Sequence, residues 1–117
     1  MQYEVNIIKG KGKSKEMGFP TLNFEIPEEF PYAHGIYAGS VVLEDKVYKA
    51  AIHYGPVPIL NDTRETLEAH IIDEVLQTEP KKVWITLDYF LREIIDFQDK
   101  KDLIKQIAKD IERTKSL

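Results

Sequence analysis

Between Ile7 and Phe24 the chain reads IIKGKGKSKEMGFPTLNF, with three glycines and four lysines ahead of a stiff Pro-Thr-x-Asn. Each residue type there has a use against a nucleotide phosphate. Gly10, Gly12 and Gly18 let backbone amides approach oxygen atoms unobstructed, and successive amides can form an anion-binding concavity. Lys9, Lys11, Lys13 and Lys15 add mobile positive charge. Pro20 stiffens the corner, and Thr21 and Asn23, two apart on an extended segment, point to one side. A hydroxyl and a carboxamide oxygen are hard ligands of the kind magnesium accepts beside phosphate oxygens and water. By itself the stretch is a weak signal and reads first as a solvated Gly/Lys loop followed by a proline turn. It is not a Walker A sequence, because it lacks the Gly-Lys-Ser/Thr ending at the required spacing, Ile7 standing where the first glycine would be, and no helix is expected after it.

A second constellation is TLEAHIID, from Thr66 to Asp73. On a strand Leu67, Ala69 and Ile71 face a core while Glu68 and His70 share the opposite face. Facing a cleft, Glu68 offers a carboxylate base; facing solvent, the pair is the wet side of an edge strand. Asp73 reads as a strand-end surface residue. His34 and His53 fall in no ligand spacing, so no zinc site is implied. Trp84 and Phe90 share a strand face with Thr86 and Asp88 and are expected to pack under a helix.

The elements that must position these groups are mostly strands, from period-two alternation between turn signals. Tyr3, Val5 and Ile7 alternate with Glu4 and Asn6, and TLNFEI gives a second short strand. IPEEFPYAHG is a turn-rich connection with two prolines. GIYAGSVVL and KVYKAAIHY flank Glu44-Asp45 as a hairpin. GPVPILNDTRE reads as loop, and TLEAHII and VWITLDYFL complete about six strands, separated by DEVLQTEPKK. In the tail Leu103, Ile104, Ile107, Ala108 and Ile111 recur at helical spacing, with Asp99 as N-cap and Arg113 and Lys115 suited to the dipole at the end. The fold class expected is mainly β: a six-stranded antiparallel, Greek-key-like barrel with one C-terminal helix packed outside it or plugging one end.

The 117 residues suit a single domain covering 1–117, with 43% apolar residues to build a core. Twenty acidic against sixteen basic residues give a net charge of −4, which argues against a general affinity for nucleic acid or an anionic membrane. With no cysteine, disulfides and thiolate zinc sites are excluded. The start MQYEVNII lacks a targeting pattern and no long apolar run follows, so a cytoplasmic protein without membrane contact is expected.

In order and spacing, GKGKSKEMGFPTLNF, GIYAG, LEAHIID, FLREIIDF and KDLIKQIAKDIE resemble the riboflavin kinase domain, in a stand-alone form, over nearly the whole chain. The most specific pieces are Gly-x-Pro-Thr-x-Asn, here Gly18 to Asn23, and Glu-x-His, here Glu68 to His70. The resemblance implies transfer of the γ-phosphoryl of ATP to the ribityl 5′-hydroxyl of riboflavin, giving FMN. It implies Glu68 as the catalytic base, and Gly10, Gly12, Lys15, Gly18, Pro20, Thr21 and Asn23 around the nucleotide, the loop closing over ATP. Thr21 and Asn23 would hold magnesium or another divalent metal, and Arg92 would belong to a second flap near the flavin. The partners implied are riboflavin or FMN and ATP or ADP, on a monomer. There are departures: Leu22 stands where alanine is usual and should point away from the metal, HYGPVPI replaces an Asn-Ile-Gly before Pro-Thr, and QTEPKK replaces a Tyr-Gly turn. An adenylyltransferase domain, which would carry FMN on to FAD, has no room in this length. The alternatives are a non-catalytic flavin- or nucleotide-binding module on the same barrel and a small barrel for single-stranded nucleic acid, the latter opposed by the negative charge.

Overall fold

The computed structural model describes residues 1–10, 13–76 and 80–117. Six strands, β1 (Tyr3–Ile8), β2 (Leu22–Phe24), β3 (Gly35–Leu43), β4 (Lys46–Val57), β5 (Asp62–Ile71) and β6 (Lys82–Arg92), close into a barrel in the order β1-β2-β5-β4-β3-β6. Every pairing is antiparallel. β3, β4 and β5 follow one another as hairpins, while the β2–β3 and β5–β6 connections cross to distant neighbours, as a Greek-key path requires. Closure leaves no free sheet edge.

Alternation sets the inside. Val5, Phe24, Val41, Ala50, Ile52, Leu67, Ala69, Ile71, Val83, Ile85 and Leu87 fill the barrel, and their sequence neighbours face outward. Glu44 turns the β3–β4 hairpin with φ 56°, the positive first-position φ that matches a two-residue turn to the strand twist.

Two expectations about the connections change. GPVPILNDTRE is not a loop: β4 continues through Val57, a 3₁₀ turn covers Pro58–Leu60, and β5 begins at Asp62. A register shift between Gly55 and Val57 lets the strand carry Pro56 without a lost ladder bond. The Gly10–Gly18 segment is not all loop, since Lys13–Glu16 forms one helical turn, α1. It ends where Gly18, at φ +94°, donates its amide to the Lys15 carbonyl at 3.0 Å, a glycine stop for a turn made of ordinary helix formers. Gly12 and Lys11 lie outside the described residues, as do residues 77–79 of QTEPKK.

The C-terminal helix α2 (Lys100–Lys115) starts at Asp99, whose carboxylate accepts from the Lys101 amide at 2.8 Å. It lies outside the barrel along β3 and β4, so Trp84 and Phe90 on β6 do not pack beneath it and are 43% and 48% exposed. Phe90 instead meets the Tyr37 ring edge-on at 5.3 Å. Leu103, Ile104, Ile107 and Ile111 are half-buried as expected, but Ala108 is exposed and the two fully buried helix residues are polar, Asp110 and Thr114. Asp110 receives the Arg92 guanidinium at 2.8–3.1 Å and the Gln106 amide at 3.0 Å. The Thr114 hydroxyl bonds the Asp110 carbonyl at 2.7 Å, and Arg113 caps the Leu91 carbonyl at 2.9 Å. The helix is thus clipped to the end of β6 by charge while its apolar residues face the barrel.

Candidate functional site

Barrel register assembles the site. Asn23 on β2 pairs with Glu68 on β5, Glu68 with His53 on β4, His53 with Ile36 on β3, and Ile36 with Arg92 on β6. Five residues from five strands therefore form one row across the outer surface, roughly 15–20 Å long at the usual strand spacing. All five line a single cavity of about 410 Å³. Lys9, Gly10, Met17 and Phe19 flank it from the β1–β2 connection, and Ile94, Ile95, Phe97, Leu103, Ile107 and Ile111 wall it from the β6–α2 connection and the helix. One end is polar and glycine-bordered, the other apolar.

At the polar end Thr21 and Asn23 both face the cavity, whereas Leu22, paired with Ala69, packs against the core cluster and does not line it, as expected. The Thr21 hydroxyl donates to Glu68 Oε1 at 3.2 Å. Gly10 is required by proximity: a Cβ there would sit 2.2 Å from Asn23 Nδ2, so glycine lets the carboxamide lie against the loop backbone. His70 Nδ1 donates to the Pro20 carbonyl at 2.8 Å, and Phe19 meets the His70 ring edge-on at 6.0 Å. His70 is thus the strut that ties the Pro20 corner to β5. Pro20 and Gly18 border the corner without lining the main cavity, and Lys15 is exposed and outside it; among the described lysines, Lys9 lines it.

Glu68 has its side chain 18% exposed, and Oε2 lies 3.8 Å from His53 Nδ1. Burial pushes its carboxyl pKa up, against the hydrogen bonds from Thr21 and Thr66 that favour the ionised form. His53, 21% exposed, is held neutral: burial lowers its pKa to about 4, and the positive fields of Arg92 and His34 act in the same direction. Its Nε2–H donates to the Pro56 carbonyl at 3.2 Å. Arg92 lines the cavity with its guanidinium committed to Asp110 and to the Glu93 carbonyl, and it lies over the Phe97 ring at 5.9 Å. Nearby, His34 bonds Glu65, which also accepts from Tyr54 at 3.1 Å.

Among the described residues no three His, Cys, Asp or Glu side chains gather in a metal-binding group. Thr21 and Asn23 offer two neutral hard oxygens, a donor set that fits a hydrated cation arriving with phosphate oxygens. The family resemblance brought Thr21, Asn23 and Glu68 together, and reading the sequence missed His53 and Asp110. Outward parity along Ala51-Ile52-His53 and the spacing of Asp110 three after Ile107 were the available signals.

The model of the family described as Flavokinase, riboflavin kinase, matches residues 1–117. The chain belongs to the riboflavin kinase family. It is 28% identical over 111 residues to the bifunctional riboflavin kinase/FMN adenylyltransferase of Haemophilus influenzae, covering 94% of this chain and 36% of that protein. It is 26% identical over 105 residues to the enzyme of that name from Escherichia coli K12, covering 89% of this chain and 34% of that protein. Human riboflavin kinase is 28% identical over 116 residues, 93% of this chain and 75% of that one. The flavokinase-family chain therefore spans about a third of the bacterial relatives. A solved structure named Macrolide-efflux Protein, from Streptococcus pneumoniae, superposes with a TM-score of 0.84 over 99% of this chain and 38% of that one at 20% identity, a likeness of fold. Among the described residues, no helix is long and apolar enough to cross a membrane.

Proposed function

We propose that this chain is a riboflavin kinase that transfers the γ-phosphoryl of ATP to the ribityl 5′-hydroxyl of riboflavin. The observation that carries the reading is the contact of Thr21 with Glu68 beside Asn23, at the polar end of a cavity whose other end is walled by Ile94, Phe97, Leu103 and Ile107. A phosphate-bearing ligand and a flat apolar ring would need those two ends, and the row between them leaves length for a polyol chain.

Magnesium, held by Thr21 and Asn23 with the nucleotide, would neutralise charge on the phosphates. Phosphoryl transfer passes through a loose transition state, so positioning and electrostatics carry most of the work. Gly10 brings backbone to Asn23, and Lys9 adds a positive charge at the cavity wall. Glu68 orients the attacking hydroxyl through one oxygen while Thr21 holds the other. As the new O–P bond forms and the β–γ bridge breaks, the hydroxyl proton passes to Glu68 and the electron pair leaves with ADP. Partial burial of Glu68 raises its proton affinity toward that task. The β1–β2 connection would close over the nucleotide and exclude water.

Incubating the chain with riboflavin, ATP and magnesium and separating flavins chromatographically tests the reading. FMN formation with stoichiometric ADP supports it; flavin binding without FMN leaves the non-catalytic binding module, and no flavin binding defeats both.

A further inference from the structure

His53 sits in the middle of the cross-strand row, between Glu68 and Ile36. A carbonyl cannot donate, so its 3.2 Å contact with Pro56 places the ring proton on Nε2 and leaves Nδ1 with a lone pair. Only the Thr66 hydroxyl stands within reach of that lone pair among the described contacts, at 3.3 Å, and the same hydroxyl lies 3.1 Å from the Gly55 carbonyl. One proton cannot serve the ring nitrogen, that carbonyl and the Glu68 carboxylate that the same hydroxyl also favours, so when it goes to either oxygen Nδ1 has no donor. Glu68 Oε2, 3.8 Å away, is a second acceptor facing the same space. Both side chains line the cavity.

Two acceptors at that spacing, mostly buried, with Thr21 on the other Glu68 oxygen and the single Thr66 proton left to share, are a receptor for two hydroxyl donors on adjacent carbons. Resting on the kinase reading above, we propose that His53 Nδ1 accepts a hydrogen bond from the hydroxyl next to the one phosphorylated, and that it makes the site selective for vicinal polyols over single alcohols. The reacting hydroxyl meets Glu68 and its neighbour meets His53, which also fixes the rotation of the terminal carbon so that the reacting oxygen faces the phosphate end. The depressed pKa of about 4 keeps Nδ1 an acceptor throughout the neutral range.

The test compares riboflavin with 4′-deoxyriboflavin, which keeps the reacting hydroxyl and lacks its neighbour. The wild-type chain should prefer riboflavin by about 10-fold or more in kcat/KM, since a site built around a hydroxyl rejects the analogue that lacks it. His53→Phe, with a ring and no acceptor, should bring the ratio close to one. His53→Asn, whose Oδ1 falls near the position of Nδ1, should keep most of it. A ratio near one in the wild type, or the same ratio in His53→Phe as in the wild type, overturns the inference while leaving the kinase reading intact. Should His53→Phe not fold by circular dichroism, His53→Leu takes its place. If the wild type makes no FMN the kinase reading fails, and flavin fluorescence then decides the inference by affinity: equal affinity for the two flavins, or none for either, overturns it.

Discussion

Acidification from about pH 7.5 to about pH 5 should destabilise the wild-type chain more than a His53→Asn variant. In the unfolded chain His53 titrates at its ordinary 6.5, and in the barrel at about 4. Between those values the unfolded state holds the extra proton, so this residue's contribution to stability is complete above 6.5 and is lost as pH falls toward 4, with no further loss below. By pH 5 about one and a half units of the interval have been crossed, which at about 1.36 kcal/mol per unit amounts to about 2 kcal/mol. The ring is 21% exposed, little enough that solvent screening does not erase the figure. Asparagine at 53 has no such proton, and the carboxylates common to both chains cancel when the two pH differences are subtracted. Urea denaturation at the two pH values measures it. Free energies that fall in parallel, within about 0.5 kcal/mol, would refute the claim that burial holds His53 neutral.

Thr21→Val and Asn23→Leu should each weaken Mg-ADP binding without unfolding the barrel, and unchanged calorimetric affinity in both would remove them from the metal site. Gly10→Ala forces Asn23 aside, because the new methyl would stand 2.2 Å from its Nδ2; calorimetry should find a loss like that of Asn23→Leu. Glu68→Gln should keep flavin and nucleotide binding and lower kcat by about 10²–10⁴-fold in an FMN-formation assay. The same variant should melt higher at neutral pH: a carboxyl whose pKa is raised on folding adds stability in acid that is lost as pH rises through the folded value. Asp110→Ala strands Arg92, whose side chain is 15% exposed against 7% for its partner, and should cost about 3–5 kcal/mol by urea denaturation.

Much of the fold was legible because its signals are local. Alternation in Tyr3–Ile7, Thr66–Ile72 and Val83–Leu91 assigns an inside and an outside without any partner, Glu44-Asp45 marks the hairpin, and Asp99 marks the helix start. Parity likewise placed Thr21 and Asn23 on one side of their segment and Glu68 opposite the core, and the resemblance to the riboflavin kinase domain joined the three. Parity breaks down where a bulge intervenes: Gly55, at φ +134°, carries β4 through Pro56 to Val57 in a stretch that read as a loop.

What the tertiary structure alone decided is which outward residues stand beside one another. Pairing order in a closed barrel is a long-range property, and nothing within β4 or β5 states that His53 lies next to Glu68, or that Ile36 separates His53 from Arg92. Docking of α2 on β3 and β4 follows the burial of an ion pair, Arg92 with Asp110, whose two halves lie on different elements. Read along the chain, Asp110 is one more charge on a helix and Arg92 a free cation near a ligand. In the folded chain each neutralises the other out of water, because the cost of burying one charge alone exceeds what its element's own periodicity could offset. The residue types and their spacing thus determined which chemistry was available, and barrel closure determined which groups meet to perform it.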